Sequence, residues 1–303
     1  MTVHTDVPTT APEDRPVRRP IEPGGRMWDE IGLVTFSLTA GSAFLLQTME
    51  PSIAAVVDEH SVFRTDAVGR AQRSLASVMT WVYGGQDALD EADRLRTMHA
   101  TLNTVDAAGT RHTALSSGPW AWVLLTGVYA FVEGSKYFSA NPMSAADAEA
   151  YYQENVQLMR NLFVLEKEIP PTYADFVAYF DEVVANQLID SRTARDFLAG
   201  TRSVPPPPAL PRVAHPIWRA AMFLPGRLQH FVTVGTTPPE ARRKLGLEWS
   251  DTDELALRAL GQVIARTVPL LPERLRYFPI AYEARRVERA RRQLTDALRR
   301  RAM

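Results

Sequence analysis

Six histidines and no cysteine set the limits on any metal chemistry in this chain. No two histidines are three or four residues apart, so no single helix turn presents a pair of imidazoles to one metal ion. The lack of cysteine excludes thiolate nucleophiles, iron–sulfur clusters and thiolate-ligated haem. Any transition metal or haem iron must therefore be held by histidine, carboxylate, methionine or tyrosine side chains.

His99 differs from the other histidines in its setting. At about 3.6 residues per turn it shares a helix face with Ala92, Leu95 and Leu102, whereas polar residues occupy the opposite face. An imidazole in an apolar interior needs a polar partner, because leaving it without one costs roughly 1–3 kcal/mol. A hydrogen bond to a neighbouring helix meets that need. Ligation of a haem iron is the alternative, since it requires one neutral imidazole on a rigid helix beside an apolar slot.

A second candidate is the segment "GRAQRSLASVMTWVYG", residues 69–84. Arg70, Arg73 and Ser74 project from a mostly polar stripe of this helix, which also carries Trp81. A solvated helix face explains the arginines, but a fully solvated face has little use for an indole. The alternative is a half-buried face on which the arginines hold haem propionates or bond to oxygen on iron.

The segment at residues 118–138 is nearly all apolar for four turns and carries several aromatic side chains, and those around Trp120, Trp122 and Tyr129 are predicted to shape a substrate slot. A central core helix is one reading, and a wall of an apolar ligand pocket is the other. The two readings are compatible, so both aromatic residues are candidates for contact with a bound apolar group.

Helical periodicity dominates the chain and β-alternation is almost absent, so we predict an all-α fold built as a single multi-helix domain. Capping residues and prolines mark several helix starts. The tetraproline at 205–208 lies in a Pro-rich connection, residues 204–211, which must be extended. The predicted helices cover residues 29–47, 51–59, 65–83, 86–105, 118–137, 144–166, 171–187, 191–200, 216–224, 238–246, 251–268 and 279–300.

The first 25 residues are rich in proline and polar groups, and we predict a disordered tail there, with the helical domain covering residues 26–303. We find no signal-peptide pattern in this tail, so a cytoplasmic location is expected. Residues 31–49 carry no charge and approach membrane-spanning length. Their polar residues and acidic flanks favour a buried core helix, and we expect no membrane span.

Composition and charge are those of an ordinary globular protein, with 46% hydrophobic residues, 23% charged residues and a formal net charge of −1. Nothing in this balance points to nucleic acid as a partner. The last predicted helix is strongly basic. It is either a solvated helix end with arginines near the negative end of its dipole, or a contact for an anionic partner.

Several stretches together match a known family in their order and spacing. The chain resembles the latex-clearing-protein and MpaB-type oxygenase family, in its compact bacterial form, from about residue 28 to residue 285. The stretches that carry the resemblance are "RSL" within residues 69–84, "RLRTMHATL", "ALSSGPWAWVLLT", "PMSAADAEAYYQE", "PPTYADFVAYFDEVV", "RRKLGLEWSDTDELALRAL" and "LLPERLRYFPIA".

The resemblance implies a partly globin-like helical core around a b-type haem, with His99 in "MHA" as the axial ligand of the iron. Rubber oxygenases carry an Arg-x-x-Lys-Thr arrangement on the distal side, and Arg70, Arg73 and Ser74 occupy the similar positions here. Members with known activity insert dioxygen into carbon–carbon double bonds of isoprenoids and cleave them to carbonyls. The resemblance thus implies dioxygen and a hydrophobic molecule as substrates.

Two departures from the family pattern bear on the substrate. Leu124 stands where many bacterial members have histidine in a "WVHA" stretch, and Glu50 precedes Pro51 where many have histidine before proline. The loss of two polar groups suggests an altered pocket or substrate, and it puts alkene cleavage itself in question.

Three hypotheses follow from the sequence. The first is a haem-b-dependent oxygenase acting on a hydrophobic small molecule, an isoprenoid or a biosynthetic intermediate, by oxidative C=C cleavage or oxygen insertion. In it His99 ligates the iron, Arg70, Arg73 and Ser74 act on the distal side, and Trp122 and Tyr129 contact the haem. His60 is a further candidate for a second ligand, and the redox partner is left open.

The second hypothesis is a non-catalytic haem- or apolar-ligand-binding helical protein. The third is a haem-free interaction protein whose basic last helix docks an acidic partner.

Overall fold

Many of the helices begin at a residue whose side chain caps the helix, close to the start that the sequence predicts. The structure is a computed structural model that describes residues 17–302. The helices are α1 Arg26–Glu30, α2 Phe36–Met49, α3 Pro51–His60, α4 Ala67–Tyr83, α5 Asp87–Ala100, α6 Ser117–Phe138, α7 Ala145–Asn161, α8 Tyr173–Asn186, α9 Arg192–Arg202, α10 His215–Gly235, α11 Pro239–Lys244, α12 Asp251–Thr267, α13 Glu273–Arg276 and α14 Pro279–Ala302. A small antiparallel hairpin pairs β1 Asn103–Val105 with β2 Arg111–Thr113.

Two helices, α2 and α6, form the centre of the molecule and pack along each other. Leu45 and Leu46 of α2 and Leu125 of α6 are completely buried between them and their neighbours. α10 covers α2, α12 covers α6, and α9 packs against α2, α3 and α10. A second pair, α4 and α5, also packs side by side. Main-chain contact is extensive within each pair and sparse between the two pairs, so α4 and α5 meet the central pair mainly through side chains.

The uncharged segment 31–49 supplies much of this core. Most of α2 is buried, which agrees with its prediction as a core helix. Within residues 17–302, no helix combines the length and the apolar character that crossing a bilayer requires. The all-α prediction is confirmed, and so is the single domain, because α9 and α10 pack directly on each other across the extended connection at 204–211.

Four helices differ from the predictions by more than two residues. The predicted helix 144–166 ends at Asn161. The predicted helix 29–47 is two helices, α1 and α2, with a break at residues 31–35 where Leu33 bridges to Tyr277. The predicted helix 86–105 ends at Ala100, and the hairpin follows it. α10 continues through Pro225 to Gly235, whereas the sequence predicts an end before this proline. Residues 232–235 at its C-terminal end are buried, and this burial offsets part of the local cost of the proline.

Residues 17–25, the described part of the predicted tail, contact the helical domain. Arg18 forms an ion pair with Asp93 at 3.0 Å and donates to the main-chain oxygen of Leu89 at 2.8 Å. Ile21 is buried in the main core. Residues 17–25 therefore pack on α5 and α7, because a few apolar and charged side chains find specific partners there. Residues 1–16 of the predicted tail lie outside the described residues.

The capping box at the start of α12 gives a direct test of a sequence signal. The Ser250 hydroxyl accepts a hydrogen bond from the Asp253 amide at 3.2 Å, and the Asp253 carboxylate accepts one from the Ser250 amide at 2.9 Å. We expect Ser250→Ala to lower the free energy of unfolding by about 1 kcal/mol, measured by urea denaturation. Thr252→Ala, an exposed change in the same turn, is the matched control, and an equal loss in both variants would contradict the capping role.

Candidate functional site

His99 lies on the last turn of α5 and points toward α6. Its Nδ1 is 2.9 Å from the main-chain oxygen of Leu95, one turn earlier. A carbonyl oxygen can only accept a hydrogen bond, so Nδ1 carries the proton and Nε2 keeps its lone pair. Within residues 17–302, no group hydrogen-bonds to Nε2. The imidazole is therefore held in the tautomer that a metal ligand requires, with one nitrogen anchored and the other free.

The surroundings of His99 favour its neutral form. Burial lowers the pKa of the imidazole below its ordinary value, the Leu95 carbonyl acts in the opposite direction, and the charges of Arg70 and Arg94 lower the pKa further. Its ring lies 5.3 Å from the ring of Trp120 on α6, measured between centroids. A neutral, half-buried imidazole next to an aromatic wall is an electron-pair donor, and it is a poor cation at neutral pH.

Arg70 on α4 is a buried cation whose neighbours are not acidic. Its Nε donates to the Ser61 hydroxyl at 3.0 Å, and its guanidinium carbon lies 4.0 Å from the centre of the Phe44 ring. In the described part of the chain, no carboxylate lies within ion-pair distance of this guanidinium. Burial lowers the pKa of Arg70 to about 10, and the nearby charge of Arg73 acts in the same direction. A buried guanidinium without a carboxylate partner favours an anionic group beside it.

Arg73 and Ser74, predicted to act beside Arg70, lie in a different environment. The Arg73 side chain is 62% exposed and forms an ion pair with Asp66 at 3.2 Å, at the start of the same helix. Ser74 is exposed as well. The structure thus separates the two arginines, since Arg70 turns inward toward Phe44 and Arg73 turns outward.

A hydrogen-bond acceptor is missing at Trp81 on α4, and packing atoms are missing at Gly127 on α6. Trp81 shares the stripe of α4 that carries Arg70, and its indole Nε1 is buried without a hydrogen-bond partner among the described residues. Gly127 lies on the same side of α6 as Trp120, and a Cβ built on it would meet no atom within 4 Å. An orphaned donor and an open space in the middle of an apolar helix leave room for an additional group.

Trp122 and Tyr129, the aromatic residues predicted to contact the haem, do not face His99. Trp122 is buried with 1% exposure, donates from Nε1 to the Leu46 carbonyl at 3.2 Å, and stacks on Phe180. Tyr129 also stacks on Phe180, with ring centroids 4.3 Å apart. Both lie about 180–200° around α6 from Trp120. The structure brings Trp120 to His99 and does not bring Trp122 or Tyr129 there.

His60 ends α3 at the surface, and its Nε2 is 2.9 Å from the main-chain oxygen of Asn103. The His60 Nε2 is therefore already hydrogen-bonded.

The two departures from the family pattern have structural roles: the Glu50 carboxylate accepts from the Ile53 amide at 2.7 Å and caps α3, and Leu124 packs against the core.

The partners of Arg70 could not be inferred from sequence. Phe44 and Ser61 precede it by 26 and nine residues on other elements, and nothing in their local pattern marks them. Trp120 belongs to the predicted aromatic segment, but the periodicity of α6 alone does not reveal which of its faces meets His99.

Within residues 17–302, no group of three or more His, Asp or Glu side chains is arranged to hold a metal ion. Axial ligation of a haem needs only one side chain.

A pocket of about 210 Å³ lies away from these residues, at the second half of α10. None of the predicted site residues lines it. Its wall includes Arg202, Arg227 and His230 on one part and Glu248 and Asp253 on another, with Trp249 beside them. We assign no role in the chemistry to this pocket, because the inward-facing imidazole and the buried arginine lie elsewhere.

His230 in this pocket predicts a pH dependence of stability. Burial lowers its pKa below the ordinary value, and the charge of Arg202 adds to this effect. Below about pH 6.5 the unfolded chain therefore binds a proton that the folded state does not, so the free energy of unfolding falls as the pH falls. We expect His230→Gln to make this fall shallower in urea denaturation at about pH 7 and about pH 5. His99 acts in the same direction and keeps part of the slope, and an unchanged slope in the variant would contradict this role of His230.

Together the fold and the site define an all-α domain built around one inward-facing histidine and a buried arginine. The model of the family described as "ER-bound oxygenase mpaB/B'/Rubber oxygenase, catalytic domain" matches residues 28–266, and the chain belongs to this family. The resemblance seen in the sequence is thus confirmed. Neither the curated proteins nor the solved structures that were compared with the chain gave a match.

Proposed function

We propose that this protein is a haem-b-dependent oxygenase that uses dioxygen and a hydrophobic small molecule, with His99 as the axial ligand of the haem iron. The observation that carries the proposal is the state of His99, whose Nδ1 is bonded to the Leu95 carbonyl while Nε2 is free. Among residues 17–302, Nε2 has no hydrogen-bond partner and is not one of the fully enclosed nitrogen atoms, so its lone pair is accessible to a metal ion. Membership of an oxygenase family supports the same conclusion.

Other residues of the chain fit a haem between the two helix pairs. Arg70 is a buried cation that lacks an anion, and a propionate or an anionic oxygen ligand supplies one. The Trp81 indole donor lacks an acceptor, and Gly127 leaves open space on the inner side of α6. An anionic edge would pair with Arg70, an acceptor would satisfy the Trp81 donor, and a flat apolar group could use the space beside Gly127.

Haem, when bound, supplies the activation of dioxygen for C=C cleavage or for oxygen insertion. The Leu95 carbonyl orients the imidazole and raises its basicity, and burial keeps it unprotonated. Phe44 and Ser61 hold the Arg70 guanidinium in place, so its charge is preorganised. We leave His60 out of the proposed ligand set, because its Nε2 is engaged by Asn103.

The substrate class, an isoprenoid or another apolar intermediate, rests on the resemblance and on the apolar walls of α2 and α6. The reductant and a cytoplasmic location are likewise parts of the proposal. Absorption spectra of the purified protein, with hemin supplied, test the first step: we expect a Soret band that shifts on reduction. A protein that stays colourless with hemin would contradict the haem proposal.

Oxygen uptake by the reduced protein with candidate alkenes tests turnover. Substrate-dependent uptake supports the oxygenase. A Soret band without any uptake across apolar substrates would favour the alternative, a haem-binding protein without catalysis, and the Leu124 and Glu50 departures are the features that would then explain the difference.

The two arginines of α4 make a matched pair for testing the anion site. We expect Arg70→Gln to weaken hemin binding by about tenfold or more, because a charge-assisted hydrogen bond in a buried site is lost. Arg73→Gln, which alters an exposed guanidinium paired with Asp66, is expected to change the affinity by less than about threefold. Hemin titration followed at the Soret band measures both, and equal losses in the two variants would contradict the assignment.

A further inference from the structure

The first half of α10 turns an apolar face to solvent. Val213, in the turn before the helix, and Ile217 and Leu224 within it are 85%, 73% and 73% exposed. Their spacing continues to Leu228, so one stripe runs along about three turns, with Ala220 and Ala221 on it between Ile217 and Leu224. Single exposed aliphatic residues are ordinary, but a continuous exposed stripe on one helix marks a contact surface.

The charges around this stripe have one sign. From residue 197 to residue 239 the chain contains no Asp or Glu, although the whole protein has a formal net charge of −1. The same segment carries Arg212, Arg219 and Arg227, all of them exposed. Glu248 and Asp253 line the pocket beside the far end of the helix. Arg227 borders the stripe, about 60° around the helix from Leu224, and the segment 197–239 supplies no acidic residue to balance its charge.

The apolar stripe and the positive charges of α10 together indicate which kind of partner binds this surface. A second copy of the chain, related by a twofold axis, would bring the same arginines face to face around the apolar contact, which is unfavourable. A bilayer with anionic headgroups offers an apolar layer for the aliphatic side chains and phosphates for the guanidinium groups. Val213, Ile217 and Leu224 lie on the same side, so they can enter one flat surface together.

We propose that the exposed face of α10 docks onto an anionic lipid bilayer surface. The aliphatic stripe lies at the boundary between headgroups and acyl chains, and Arg212 and Arg227 contact lipid phosphates. The contact is peripheral, since the helix lies along the surface. This inference goes beyond the proposed function and does not depend on haem.

Vesicle flotation of the full-length protein tests the proposal. We expect the protein to float with vesicles made of phosphatidylcholine and phosphatidylglycerol in equal parts, and to float much less with phosphatidylcholine alone. The double variant Ile217→Glu, Leu224→Glu should lower the partition coefficient on the mixed vesicles by about a hundredfold, since each aliphatic side chain accounts for about tenfold. The matched control is Leu255→Glu, Val263→Glu, two exposed positions on α12, and it should bind like the wild type. Far-ultraviolet circular dichroism checks the folding of each variant.

A labelled side chain locates the contact independently of any loss of binding. The chain has no cysteine, so Leu224→Cys and Leu255→Cys each give a single site for an environment-sensitive fluorophore. We expect a blue shift and an increase in emission with mixed vesicles for the label at 224 and no change for the label at 255.

Several results would overturn the proposal. One is a wild-type protein that does not float with the mixed vesicles. A second is flotation that persists in Ile217→Glu, Leu224→Glu but is lost in Arg299→Gln, Arg300→Gln, Arg301→Gln, because this would assign the contact to α14. A third is a wild-type dimer in light scattering that becomes a monomer in the double variant without any binding to lipid, because the occupant would then be a second copy.

Discussion

Replacement of His99 by alanine is expected to remove the Soret band of histidine-ligated haem from the protein while leaving its helical circular dichroism signal unchanged. The imidazole Nε2 is the free electron pair that the structure directs inward from α5, and alanine has no ligand atom. The fold should tolerate the change, since the ring is half-buried and its one hydrogen bond is to the main chain of its own helix. Absorption spectra in the oxidised and reduced states measure the effect.

A control histidine and a chemical rescue make this result specific. His215→Ala changes a half-buried imidazole that contacts the Leu210 carbonyl at the start of α10, and its spectrum should equal that of the wild type. Added imidazole should restore the histidine-type spectrum in His99→Ala by filling the space that the side chain leaves. A variant spectrum identical to that of the wild type without added imidazole would rule out His99 as the ligand.

Trp122→Ala is expected to destabilise the protein by about 3–5 kcal/mol, a large part of the ~5–15 kcal/mol available to a folded domain. The indole is completely enclosed, stacks on Phe180 with ring centroids 5.1 Å apart, and donates to the Leu46 carbonyl. Its removal leaves a cavity between α2 and α6 and an unpaired carbonyl. The midpoint of urea denaturation should fall accordingly, whereas Leu255→Ala on the exposed face of α12 should change stability by less than about 0.5 kcal/mol.

A second substitution of Trp122 tests whether this side chain only packs in the core or also contacts the cofactor. Trp122→Phe keeps an aromatic ring in the cluster and should leave the spectrum of the hemin-loaded protein unchanged, because Trp122 lies on the opposite side of α6 from Trp120 and His99. A shifted Soret band in a folded Trp122→Phe variant would instead place this side chain against the haem, as the sequence predicted.

The arginines show where sequence reasoning reaches its limit. Arg70 and Arg73 lie three residues apart on one helix, and periodicity places both near the same stripe. Only the position of Phe44 and Ser61 makes Arg70 the buried member of the pair, while Asp66 draws Arg73 outward. The hairpin after α5 was missed for a related reason, since its two strands have three residues each and are too short to show an alternating pattern.

The sequence by itself determined the all-α class, the approximate position of most helices, the burial of α2 and the inward face of α5 that carries His99. These features depend on interactions within a few turns, namely apolar periodicity and capping, and the order of residues encodes them directly. Tertiary structure alone decided which arginine is buried, which tryptophan meets the imidazole, and how α10 continues past Pro225 and exposes an apolar face. Each of these depends on contacts between residues far apart in the chain, whose free energies no local pattern records.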